Sequence, residues 1–162
     1  MTISNNTKLK ICGIEPESIV DGPGFRYVVF VQGCPHHCHG CHNPESWSFG
    51  DGATMTVGEI FNEICNSEVS GVTFSGGEPF CQAEALAELG KLVKSKNLSL
   101  MCYTGYTLEE LQEKQDSAVD ELLSLTDILV DGRYVEEERD LTLLYKGSRN
   151  QRVIDMGQLP TT

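Results

Sequence analysis

The sequence predicts an α/β protein, an incomplete, open (β/α) barrel on a mostly parallel sheet. Runs rich in β-branched and aromatic residues recur at 25–33, 71–77, 98–105 and 127–132. Between them, apolar residues repeat at helical spacing. The strand-like runs end in glycine-rich or polar loops, which is where parallel sheets gather their ligand sites. About four strand–helix units are too few to close an eight-stranded barrel, so the sheet should stay open.

"FRYVVFVQG" (25–33) is apolar enough for a strand covered on both faces. Further on, Val57, Ile60, Phe61, Ile64 and Cys65 share one helical face, which predicts that they point inward. Thr56 and Glu59 have the spacing of a capping box at the start of that helix. "GVTFSGG" (71–77) is a short strand running into a glycine turn. Residues 81–97 predict a helix with Leu86, Leu89 and Val93 inward and lysines near its end, where they suit the helix dipole. "LSLMCYTG" (98–105) is the next strand, and Thr107 and Glu110 repeat the capping-box spacing behind it. An amphipathic "SAVDELLSLT" leads to the last predicted strand, "DILVDG" (127–132). No repeat or linker interrupts the pattern, so one domain spanning 1–162 is expected.

Twelve Lys and Arg against 24 Asp and Glu give a net charge of −12. Such a surface repels a phosphate backbone, so no nucleic-acid partner is expected. No stretch approaches the ~20 apolar residues of a membrane span, and the first residues lack the apolar run of a signal peptide. The expectation is a cytoplasmic protein with no membrane partner. Seven cysteines, three of them within eight residues, suggest metal binding or redox chemistry in a reducing compartment.

Those three lie in "FVQGCPHHCHGCHNPESW" (30–47), at Cys34, Cys38 and Cys41, with Gly33 and Gly40 allowing tight turns beside them. From the loop alone two metal centres are open. A zinc site would take three thiolates and one of His36, His37, His39 or His42. A four-iron cluster would leave one iron without a protein ligand. By themselves, Gly76, Gly77 and Glu78 form a strand-to-helix turn, Thr104 a strand-end hydrogen bond, Asp131 a turn and Arg133 a solvated charge. Cys65 and Cys102 fit as small core residues, while Cys12 and Cys81 have no assigned role.

C-x3-C-x2-C after the first strand and "GGEP" after the second resemble the radical S-adenosylmethionine enzymes. "VDGPGFR" (20–26) resembles the activating enzymes of glycyl-radical enzymes within that superfamily. "DILVDGRYVEEERDLTLLYKGSRNQRVID" (127–155) is most similar to the activators of anaerobic ribonucleoside-triphosphate reductase. The resemblance implies that Cys34, Cys38 and Cys41 ligate a [4Fe–4S] cluster, whose open iron binds the amino and carboxylate groups of S-adenosylmethionine. One-electron cleavage of that cosubstrate then gives a 5′-deoxyadenosyl radical, which abstracts hydrogen from a backbone glycine of the reductase large subunit. Gly76, Gly77 and Glu78 would receive the ammonium group, Thr104 the ribose hydroxyls and Arg133 the methionine carboxylate. Many members of the superfamily carry an aromatic residue before the third cysteine. Here Gly40 stands there, as in the reductase activators, and Gly40 with His42 is assigned to adenine. The "DGPGF" stretch, with Asp21, would help admit the partner's glycyl loop. An electron donor such as a flavodoxin is implied as well.

Overall fold

The chain lays down β1 (Lys8–Ser18), β2 (Arg26–Val31) and β3 (Ala53–Thr56), then α1 (Val57–Cys65) and β4 (Gly71–Gly76). It continues with α2 (Ala83–Ser95), β5 (Ser99–Tyr103), α3 (Leu108–Glu113) and α4 (Ser117–Leu125), and ends with β6 (Ile128–Asp131) and β7 (Arg152–Asp155). These elements come from a computed structural model that describes residues 5–19, 22–36, 38, 47–48, 52–140, 142–143 and 145–158. Among the described residues one open sheet holds seven strands, in the order β3-β1-β2-β4-β5-β6-β7.

The four predicted strands form the parallel centre, β2-β4-β5-β6. Their registers keep step: Arg26 pairs with Gly71 and Val31 with Gly76, Gly71 with Ser99, and Tyr103 with Val130. The carboxyl ends therefore line up along one rim. β1, β3 and β7 lie outside the sequence expectation, and all three pair antiparallel at the flanks. Their signals are weak for physical reasons. β1 contains Gly13 and Pro16 and is bulged twice against β2, and β7 is four residues long and largely exposed.

Thr56 and Glu59 make both bonds of the capping box on α1, and Thr107 and Glu110 do the same on α3. Val57, Ile60, Phe61 and Ile64 are buried as expected. Cys65 is exposed, contrary to expectation. Eight residues beyond Val57, a turn of ~100° per residue has carried its side chain about 80° around the helix. The helix expected from 81 starts at Ala83, because Pro79–Gln82 forms a 3-10 turn with Glu78 as its N-cap. Leu86, Leu89 and Val93 face the core, and Cys102 is fully buried in β5.

At the amino ends of the parallel strands the floor is polar. Arg26 is 1% exposed. Its Nε donates to Thr73 Oγ1 at 2.7 Å, its Nη1 to Ser99 Oγ at 2.8 Å and Pro23 O at 3.1 Å, and its Nη2 to the carbonyls of Val72 and Ser99. Burial pushes its pKa below the ordinary guanidinium value. Gly71 has to be glycine, since a Cβ there would collide with the Arg26 guanidinium and the Ser99 hydroxyl.

Candidate active site at the carboxyl ends of the parallel strands

A cavity of about 300 Å³ opens at the rim. The cysteine loop contributes Cys34, His36 and Cys38 to its wall, and the end of β4 contributes Ser75, Gly76 and Gly77. Tyr103, Thr104 and Gly105 close it from β5, and Gly132, Tyr134, Gly147 and Gln151 from the segment leading into β7.

The glycine pair is set by its approach to β2. Gly76 has φ +132°, and a Cβ on it would strike the backbone of Val31. A Cβ on Gly77 would lie 2.6 Å from both Gly33 O and Val31 O. The next amide, Glu78 N, donates to Gly33 O at 2.7 Å, so the β4 turn is laced to the root of the cysteine loop.

Glu78 is fully buried. Its Oε1 accepts from Gly105 N at 2.7 Å and lies 2.8 Å from His36 Nε2, a geometry in which the ring donates. Thr104 Oγ1 sits 3.0 Å from Oε1 and 2.8 Å from Oε2 and donates its hydroxyl hydrogen bond to the carboxylate. Oε2 also accepts from Phe80 N at 3.1 Å. His36 stands edge-on to Tyr106, with ring centroids 4.6 Å apart, and Lys114 Nζ lies 4.3 Å from the centre of the Tyr106 ring.

Of the residues singled out from the sequence, Cys34, Cys38, Gly76, Gly77 and Thr104 share this cavity, with Glu78 directly behind the wall. Gly40, Cys41, His42, Asp21, His37 and His39 lie outside the described residues. Arg133 stands off the cavity, half-exposed, with Nη1 3.4 Å from Glu110 Oε1. Asp131 is buried, accepting from Leu108 N at 2.7 Å and from Arg152 Nε at 2.9 Å, with a second close contact from Arg152 Nη2. The described part of "DGPGF", Gly22–Phe25, sits at the amino end of β2, at the opposite end of the strand from the cysteine loop.

Two residues acquire a place that sequence reasoning did not give them. From the sequence His36 is a candidate fourth zinc ligand, whereas in the fold it joins the loop to Glu78. Gln151 accepts from Gly147 N and Ser148 N and donates to Gly132 O at 2.9 Å, folding the last wall against the rim. Its signal lay in "KGSRNQR", a cluster of turn-forming residues just before the final strand.

The donor chemistry suits an iron–sulfur centre: two soft thiol side chains line one cavity together with the glycine turn at the end of β4. A family model described as a 4Fe-4S single cluster domain matches residues 20–154. The anaerobic ribonucleoside-triphosphate reductase-activating protein of Haemophilus influenzae is 34% identical, over 84% of this chain and 91% of its own. That of Vibrio cholerae is 36% identical, over the same shares of the two chains. The chain belongs to the anaerobic ribonucleoside-triphosphate reductase-activating protein family. The 4Fe-4S match takes in all three cysteines of the loop of this family member. A pyruvate formate-lyase-activating enzyme of Listeria monocytogenes is also similar, 34% identical over 90% of this chain but 61% of its own length. The crystal structure of QueE from Escherichia coli shares the fold, with a TM-score of 0.51 and 18% identity over 62% of this chain and 53% of that one. No helix among the described residues is long and apolar enough to cross a membrane.

Proposed function

We propose that the chain uses a [4Fe–4S] cluster and S-adenosylmethionine to place a glycyl radical on the large subunit of an anaerobic ribonucleoside-triphosphate reductase. The observation that carries this reading is that Cys34 and Cys38 open onto the same cavity as the Gly76–Gly77 turn and the end of β5. Thiol ligands, exposed backbone and a ligand-sized space meet at one rim.

Cys34, Cys38 and Cys41 would hold the cluster, leaving one iron open to the cosubstrate. When bound, the reduced cluster would supply the electron for reductive cleavage of S-adenosylmethionine, the chemistry needed to remove a hydrogen atom from glycine. Gly76 and Gly77 offer backbone to the methionine end. Thr104 stands at the end of β5 for the ribose, Gly40 and His42 for adenine, and Arg133 outside the wall for the methionine carboxylate. A low-potential donor such as a flavodoxin supplies the electron, and the enzyme works in the cytoplasm as a single domain.

The test is electron paramagnetic resonance on an anaerobic mixture of reconstituted protein, S-adenosylmethionine, dithionite and reductase large subunit. A glycyl-radical doublet that is lost in Cys38→Ala is the expected result. 5′-Deoxyadenosine without a doublet would move the partner elsewhere, to pyruvate formate-lyase for example. A colourless protein containing zinc and no iron would replace the reading altogether.

A further inference from the structure

We propose that His36 is a positioning residue for the cluster-bearing loop, acting through Glu78, and that the Glu78 carboxylate serves this loop rather than the cosubstrate. The inference rests on the proposal that Cys34 and Cys38 bear a cluster. A carboxylate has about four good acceptor positions. Glu78 accepts four hydrogen bonds, from His36, Thr104, Gly105 N and Phe80 N, and it is fully buried. An ammonium group would have to displace one of them, leaving a buried donor unpaired at a penalty of about 1–3 kcal/mol.

The same bonds define what Glu78 does. Its donors come from three separate loops: His36 from the cysteine loop, Phe80 from the turn after β4, and Thr104 and Gly105 from the turn after β5. His36 lies between the two described cysteines, two residues from each, so fixing its ring fixes the path of the loop that carries them. Gly105 lies so close to the His36 ring that a Cβ on it would overlap the imidazole. Tyr106 packs edge-on to the same ring, with centroids 4.6 Å apart. The imidazole is therefore held by one hydrogen bond and two close contacts. Orientation by groups behind the ligands is how protein scaffolds tune metal centres, and losing such partners typically costs about 10–100-fold in affinity or activity.

Three variants test the pair in reconstituted holoprotein. His36→Phe keeps the ring against Tyr106 and removes the donor. His36→Gln restores an N–H within reach of Glu78. Gly105→Ala pushes the ring away. Two readouts are compared at equal iron and sulfide content and equal melting temperature. One is the affinity for S-adenosylmethionine by equilibrium dialysis, and the other is the change it causes in the resonance of the reduced cluster. His36→Phe and Gly105→Ala are expected to weaken binding by about tenfold or more and to blunt the spectral change, with His36→Gln recovering most of both. Unaltered binding and spectrum in His36→Phe would overturn the proposal. If His36→Phe retains no iron, amide hydrogen exchange over residues 33–36 of the metal-free protein decides. Exchange at least tenfold faster than in His36→Gln supports the clasp, and equal rates overturn it. A normal spectral change without any glycyl radical on the reductase would sink the proposed partner and leave this inference standing.

Discussion

At Arg26 each of the five guanidinium N–H groups meets an oxygen, and those oxygens belong to Pro23, Val72, Thr73 and Ser99. A lysine offers three donors from a single point and leaves buried acceptors bare. Arg26→Lys is therefore expected to cost roughly 2–4 kcal/mol, read as a fall in the denaturation midpoint. An unchanged midpoint would mean that water replaces the guanidinium without loss. Glu78 shows the limit of reading a residue from its neighbours in sequence. "GGEP" marks a turn with a carboxylate, and both are present. What that carboxylate does depends on His36, 42 positions away, and Thr104, 26 positions away, and no spacing rule joins those loops.

Elements governed by local rules were legible. The Thr56–Glu59 box is complete in itself: Glu59 N donates to Thr56 Oγ1 at 3.1 Å and Thr56 N to Glu59 Oε1 at 3.0 Å. Thr56→Ala should cost about 1 kcal/mol, a shift of roughly 2–4 °C for a chain of this size, measured by thermal melting. A shift below a degree would show that packing of Val57, Ile60 and Phe61 alone holds α1. The central strands were legible because burial on both faces demands continuous apolar runs. The antiparallel flanks were not. Lys8–Ser18 and Arg152–Asp155 each leave residues exposed, and β7 is held by bonds that a pattern of apolar residues does not encode. Among these are Arg152 to Asp131 and to Glu109, and Lys146 Nζ to Gln151 O.

For the whole molecule, burial sets the response to alkali. It pushes the fully buried Cys102 thiol up to about 12, from an ordinary value of 9.0. It pushes the Tyr106 phenol up to about 12 from 10.0. In each case the folded chain holds a proton that the unfolded chain releases, so stability falls as pH rises through this range. Below about pH 9 these groups leave stability unchanged, and between about 9 and 12 the melting temperature should decline. Cys102→Ala should flatten part of that decline, and an identical slope would remove Cys102 from the account. The net charge of −12 grows over the same range and acts in the same direction through self-repulsion.

The polar floor also bears on how the chain folds. Arg26 draws its oxygens from its own approach loop, from β4 and from β5. A partly folded state that paired only β2 with β4 would bury a cation with Ser99 still absent, and such a state is penalised. The three strands thus gain from arriving together. The shared guanidinium disfavours a half-built sheet that would expose an open edge to a neighbouring chain.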